Sequence, residues 1–339
     1  MYLNYYPYTL ELKNQFTISH STRTTTPVVI TEITHEGITG YGEASLPPYL
    51  TENQQSVINF LRKVNLEYFS DPLQLPEILE YVDGLESDNN AAKASVDIAL
   101  HDLVGKLLNI PLYKYFKIEH QESKYSSITI GIDSIDNMIR KVKEAEDYKI
   151  LKLKLGSDND RSVIERIRTV TDKEIIVDVN QGWNDKYKAL EFIKWLADKN
   201  VKLVEQPFPT KDIASTLWLS ERSPLPIFAD ESVKRLSDIE KVTGIFHGIN
   251  IKLMKSGGLG EALKMINKAN ELGLKIMLGC MTETSCAISA ASHLSPLAAW
   301  VDLDGAELIK NDLFTGMKIV RGEVILPELP GTGTVKISG

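Results

Sequence analysis

Two cysteines in 339 residues, Cys280 and Cys286, are too few for a disulfide framework and lack the spacing of a zinc site. Buried free thiols are the expectation for both. No apolar run is long enough to cross a bilayer, and the opening MYLNYYPYTLELKNQF has no basic region followed by an apolar stretch, so a signal peptide is not expected. Basic residues number 38 against 46 acidic ones, a net charge of −8, and nowhere form a cluster. That balance speaks against a nucleic-acid or anionic-membrane partner. The composition is that of an ordinary globular protein, 43% apolar and 25% charged, with enough chain for one large α/β domain or two smaller ones. A cytoplasmic enzyme is the expectation.

The chain changes style near residue 122. Before it, YTLELKNQF and TPVVITEITHEGITGYGEAS read as strands around a turn at Glu36 and Gly37, and NAAKASVDIALHDLVGKLLN repeats apolar residues at helical spacing. Residues 1–122 are therefore expected to form an α+β domain. From 123 to 305, short apolar strands alternate with amphipathic helices: SITIGI, ILKLKL, EIIVDVN, KLVEQ, PIFADE, GINIKL, LKIMLGC and WVDLD. A polar marker near each strand end, from Thr129 through Lys152, Asp178, Glu205, Asp230, Lys252 and Gly279 to Asp302, recurs every 22 to 27 residues. This is the period of a parallel βα array, and eight strands close a barrel. A doubly wound open sheet is the alternative, but no Gly-rich phosphate turn comes after the first strand. Residues 306–339, rich in Gly and Pro, are expected to return to the first domain.

In a barrel, inward side chains at the C-terminal strand ends build the site. Alternation along YKILKLKLG then sends Lys152 and Lys154 inward, Lys152 one layer deeper. The next three strands end in Asp178, Glu205 and Asp230. Three convergent carboxylates repel one another unless a cation joins them, and oxygen-only ligation suits Mg²⁺, or Mn²⁺, rather than zinc. The sixth strand brings Lys252, across the barrel from the second; Lys255, beyond the strand end, is expected to be solvated or near a phosphate-like group. Lysines on opposite sides of a metal-bound carboxylate substrate could remove a proton from one face and return it to the other.

The set KLK, DVNQGW, EQP, ADES and NIKLMKSGG, preceded by AAKASVDIALHDLVGK, resembles the enolase superfamily in its muconate-lactonising subgroup. The resemblance spans nearly the whole chain. It implies a (β/α)7β TIM-like barrel with an α+β capping domain built from the N-terminal region and the C-terminal tail. Asp178, Glu205 and Asp230 become the Mg²⁺ ligands, Lys154 and Lys252 the acid/base pair, and Lys152 the contact to the substrate carboxylate. A Lys or His base beside Mg²⁺ and an enediolate is the chemistry known for such sites. The eighth strand, VDLDGAEL, places Asp302 and Asp304 on one face; this is similar to the Asp-x-Asp with which dipeptide epimerases hold a free α-ammonium, although two aspartates could also cap the helix or loop after them.

The resemblance thus implies 1,1-proton transfer at the α-carbon of the C-terminal residue of a dipeptide such as L-Ala-D/L-Glu, in murein peptide metabolism, by a homo-oligomer. A cycloisomerase or o-succinylbenzoate synthase-type lyase, an N-acylamino-acid racemase, and a non-enzymatic member are the alternatives. Thr129, at the first strand end, joins the expected substrate-binding positions. So does Arg23, in the loop FTISHSTRTTTP with His20 and Ser21, where a guanidinium could pair with a Glu side chain of the substrate.

Overall fold

The computed structural model describes every residue except 20, 120, 121, 158 and 339. The first three strands, β1 (Tyr2–Ile18), β2 (Ser21–His35) and β3 (Ile38–Ser45), form an antiparallel sheet. The β2–β3 hairpin turns at Glu36 and Gly37, both at positive φ, as a tight two-residue connection requires. In β1 the register with β2 slips between Glu11 and Phe16, so residues 12–15 bulge from the pairing.

Helices α1 (Gln54–Leu61), α2 (Leu75–Gly84) and α3 (Asn90–Leu107) come after the sheet. α3 is buried on all sides from Ala91 to Gly105. It owes this to β3: a Cβ at Gly42 would stand 1.9 Å from the Ser95 carbonyl oxygen, and one at Gly40 2.1 Å from that of Ala99. Only glycine lets a helix and a strand approach so closely. At its other flank α3 presents Asp97, which accepts the backbone N–H of Leu259 at 2.6 Å and of Gly260 at 3.2 Å, capping the barrel helix Leu259–Glu271.

Eight parallel strands come next: β4 (Ser127–Ile130), β5 (Ile150–Lys154), β6 (Glu174–Asp178), β7 (Val201–Glu205), β8 (Ile227–Ala229), β9 (Gly248–Ile251), β10 (Lys275–Gly279) and β11 (Trp300–Asp302). They are hydrogen-bonded in chain order, and a bridge from Ser126 to Val301 joins last to first. The sheet is therefore a barrel and not an open doubly wound sheet. Seven strands are followed by helices and β11 by a short 3₁₀ turn, Gly305–Leu308. Inside, Ile176, Leu203, Phe228 and Met277 form a fully buried plug, with Ile150 and Trp300 against it. Each of these six lies two residues before a strand-end position of the period, so alternation carries those strand-end residues into the space above the plug.

The tail beyond β11 runs back onto the first sheet and α3. Leu12 bridges Ile309, the strand Val335–Lys336 pairs with Phe314–Thr315, and Lys336 meets Glu32 at 2.7 Å. The buried Asp102 of α3 accepts the N–H and hydroxyl of Thr332 at 2.8 and 2.9 Å. Among the described residues no helix is long and apolar enough to cross a membrane.

The sheet sits over the barrel mouth through polar joints. Ser45 Oγ donates to the Thr282 carbonyl at 2.6 Å, and Ser19 Oγ to that of Asn180 at 3.0 Å. Glu43, fully buried on β3, accepts the N–H of Thr284 at 3.0 and 3.1 Å and also its hydroxyl. Burial, and next the charge of Glu283, push the Glu43 carboxyl up to about 8, with Asp312 adding to the rise and the Thr284 bonds opposing it.

Folding therefore favours protonated Glu43. Below its ordinary value of 4.5 both states carry the proton and nothing is lost; as pH rises from there to about 8 only the unfolded chain releases it, and stability falls. Removing the titrating group with Glu43→Gln should make the variant's melting temperature gain on the wild type steadily from pH 5 to about pH 8 and level off above it. The scale is roughly 1.4 kcal/mol per pH unit at most. A difference in melting temperature that does not change with pH would refute this account of the joint.

Candidate active site

The strand ends gather the predicted residues around one cavity of about 420 Å³. Lys152, Lys154, Asp230, Lys252, Asp302, Asp304, Thr129 and Arg23 line it, while Asp178 and Glu205 lie beneath its floor, each fully buried. One ligand oxygen from each of Asp178, Glu205 and Asp230 lies within 4.8 Å of the other two.

Lysines bracket this arc of carboxylates. Lys154 donates to Asp178 Oδ2 at 2.5 Å from the strand on one side, and Lys252 to Asp230 Oδ2 at 2.7 Å from the strand on the other. Since β5 and β9 are the second and sixth of eight strands, these two ammonium groups face each other across the mouth. Lys152, deeper and only 1% exposed, stands 2.8 Å from Glu205 Oε2, 2.8 Å from Asp302 Oδ2 and 3.2 Å from Asp178 Oδ2. Burial alone would drive off its proton; the fields of Asp302, Glu205, Asp178 and Asp230 overcome that and raise its pKa well above the ordinary lysine value. Burial likewise opposes ionisation of Asp230, but Lys252, Lys255 and Lys152 hold it well below the usual carboxylate range.

Lys255 departs from expectation. It is buried, not solvated, and its ammonium reaches Asp230 Oδ1 and the carbonyls of Asp230, Asn250 and Val233 at 2.6 to 3.1 Å. It lies on the short helix Leu253–Ser256 just past the strand end, which holds its ammonium against Asp230. Sequence reasoning also missed Gln206, whose Oε1 accepts the N–H groups of Asp230 and Ser232 at 3.0 and 3.1 Å, and Asn250, which donates to Glu205 Oε1 at 2.6 Å. Asn250 was legible in principle, because it lies two residues before Lys252 on the same strand face. Asn180, Gln181 and Gln206 have positive φ at the exits of β6 and β7; non-glycine residues in that region concentrate at functional sites.

The carboxylate arc fits a hard dication. All donors are oxygens, the charge is anionic, and Glu205 Oε2 forms no proper hydrogen bond among the described residues although Lys152 lies close. Burial, and next the charge of Asp178, push Glu205 up to about 7, the conflict a dication resolves.

On the opposite wall, Asp302 Oδ1 accepts the Ser127 hydroxyl at 2.6 Å, and Asp304 Oδ2 accepts the Thr129 N–H at 2.6 Å. Thr129 meets Asp304 with both its backbone N–H and its side chain. Burial and the charge of Asp302 push Asp304 up to about 7. Neither aspartate caps a helix through its side chain; both face the cavity.

Arg23 enters from β2. Its Nη2 donates to Thr282 Oγ1 at 3.0 Å and its Nε to Thr26 Oγ1 at 3.3 Å; the guanidinium lies 4.9 Å from the Phe16 ring centroid and 5.7 Å from that of Tyr49. Its Nη1 is buried without a well-formed hydrogen bond. Ser21 lines the cavity as well; His20 lies outside the described residues. Of the two thiols, Cys286 is buried, whereas Cys280 is partly exposed on the cavity wall.

Residues 8–116 match the family description "Mandelate racemase / muconate lactonizing enzyme, N-terminal domain", and residues 135–336 match "Enolase C-terminal domain-like". The chain is 54% identical over 338 residues to the L-Ala-D/L-Glu epimerase of Bacteroides thetaiotaomicron, covering 99% of this chain and 88% of that protein. Among solved structures it is similar to the substrate-liganded L-Ala-D/L-Glu epimerase of Bacillus subtilis (TM-score 0.94, 28% identity, 100% and 99% coverage). It is similar too to the dipeptide epimerase of Enterococcus faecalis V583 complexed with Mg and L-Leu-L-Tyr (TM-score 0.92, 31% identity, 98% of each chain).

If the arc binds Mg²⁺, Asp178→Asn, Glu205→Gln and Asp230→Asn should each weaken its binding by about tenfold or more, as read by calorimetric titration. Retained thermal unfolding would show that the barrel persists. Unchanged affinity in all three would exclude the cluster.

Proposed function

Because the chain belongs to the enolase superfamily, in the mandelate racemase and muconate lactonizing enzyme family, we propose that it is a magnesium-dependent dipeptide epimerase. It inverts the α-carbon of the C-terminal residue of L-Ala-D/L-Glu and related dipeptides. The observation that carries this reading is the pair of lysines, Lys154 and Lys252, at the two ends of a buried carboxylate arc, with an aspartate pair on the remaining wall.

Asp178, Glu205 and Asp230 would hold Mg²⁺, which when bound would supply positive charge to stabilise a substrate carboxylate. Lys154 takes the proton on one face and Lys252 returns one on the other, and the roles exchange for the opposite enantiomer. Lys152, kept charged by its carboxylate neighbours, faces the same substrate carboxylate. Asp302 and Asp304 receive the α-ammonium; an arriving cation compensates the like-charge conflict that raises Asp304. A cycloisomerase or lyase substrate without an amine would leave this pair with nothing to bind. Arg23, with its unsatisfied Nη1, selects a carboxylate side chain at the second position.

The cytoplasm is the compartment that fits the free thiols. Exposed Tyr187, Ile213 and Leu217 on neighbouring barrel helices are surface that a homo-oligomer would cover. A place in murein peptide metabolism accords with the Ala-Glu substrate.

Lys154→Ala and Lys252→Ala should each abolish epimerisation while still exchanging the α-proton of one enantiomer with deuterium from solvent, a different one for each variant. Full epimerase activity in either variant would end the two-lysine assignment. Arg23→Ala should raise KM for L-Ala-L-Glu about tenfold, roughly 1.4 kcal/mol, with little change for L-Ala-L-Leu. Equal losses on both dipeptides would point to disturbance of the β1–β2 hairpin instead.

A further inference from the structure

Lys154 ends its strand, and the chain just beyond it is held by a carboxylate that the proposed chemistry leaves unused. The parallel ladder carries β5 as far as Leu155, whose N–H donates to the Asp178 carbonyl at 2.9 Å. Backbone donors past the ladder need another partner. Asp160 accepts the N–H groups of Gly156 and Ser157 at 2.8 and 3.0 Å, one on each carboxylate oxygen, and also the Ser157 hydroxyl at 2.9 Å.

Asp160 opens the helix Asp160–Arg168, yet among the described residues its side chain bonds back to this turn and not forward to the N–H groups of its own helix. It is only 7% exposed. Burial raises its carboxyl above the ordinary value, and the bonds from Gly156, Ser157 and the Trp183 indole oppose that rise. Trp183 comes five residues after Asp178. One carboxylate therefore holds the chain leaving the lysine and the chain leaving the first member of the arc. The capping sheet reaches the same place: a Cβ on Gly156 would stand 3.2 Å from Ser19 Cβ and from the Val179 carbonyl oxygen, and one on Gly182 3.1 Å from Gly156 Cα.

We propose that Asp160 is a positioning residue for Lys154: by fixing Gly156 and Ser157 it sets where the Lys154 ammonium stands against the substrate α-carbon. The assignment rests on the reading of Lys154 and Lys252 as the two bases of an epimerase. Lys252 comes from the end of β9, four strands away, and its ammonium is held by Asp230. Loss of Asp160 thus damages one face of the reaction and spares the other. The scale is large, because misplacing a reacting group by about 1 Å costs up to roughly 10²-fold in rate.

The test measures deuterium exchange at the α-carbon of L-Ala-L-Glu and L-Ala-D-Glu in two backgrounds that each keep one of the two lysines. In Lys252→Ala, where Lys154 alone exchanges, adding Asp160→Ala should lower kcat for exchange about tenfold and leave KM within about twofold. In Lys154→Ala, where Lys252 alone exchanges, the same addition should leave kcat within about twofold. Asp160→Asn keeps the shape and one acceptor oxygen, so it should slow the Lys154-dependent exchange only about threefold; this variant carries the test should Asp160→Ala not fold. Equal losses in the two backgrounds, a loss confined to the Lys252-dependent exchange, a rise in KM alone, or no loss in either overturns the positioning role and leaves the two-lysine reading standing. If neither single-lysine background exchanges either dipeptide, the functional reading falls and the inference with it.

Discussion

Three carboxylates buried within 4.8 Å of one another cannot all stay ionised without positive charge among them. Much of the barrel is arranged around that demand. Lys152 is aimed at two members of the arc, Lys154 and Lys252 close its ends, and Lys255 holds the second oxygen of Asp230. The apolar plug of Ile176, Leu203, Phe228 and Met277 keeps water from the underside, so the charges interact through protein and not through solvent. A cluster so balanced is poised to exchange part of its internal pairing for a dication and an anionic substrate.

The barrel was legible because its signal is periodic. Each strand is short and apolar, all but the seventh carry a polar residue at or next to the end, and alternation fixes which way that residue points; all eight strands therefore appear where the pattern puts them. Lys152 and Lys154 were readable for the same reason. Lys255 was not, since it lies past the strand, where alternation no longer governs direction and a four-residue helix decides. Gln206 escaped because its role depends on a positive φ and on a neighbouring strand, neither of which local pattern encodes. Glu43 gave no signal as a partner of Thr284, because the two are 241 residues apart and meet only once the sheet is seated on the barrel.

Those long-range joints explain how a small sheet and one helix can define the roof of a site built by another body. Their bonds run largely between side chains on the sheet and α3 and backbone groups in the loops and helix starts that follow the barrel strands: Ser45 with Thr282, Ser19 with Asn180, Glu43 with Thr284, Asp97 with Leu259. Backbone groups are present whatever the loop sequence, so the cavity walls could change composition while the roof stays registered on the barrel. Arg23, carried by the same sheet, inherits this fixed position.

The pairing of Asp102 with Thr332 imposes an order in time. The two residues are separated by 230 positions, and between them lies the entire barrel. During synthesis α3 leaves the ribosome long before its partner exists, carrying an acidic side chain destined for full burial. The sheet and α3 can reach their final packing only after the barrel has emerged, so the mouth is roofed last. A nascent chain interrupted before Thr332 would expose the Asp102 pocket, a feature that quality-control machinery could read as unfinished.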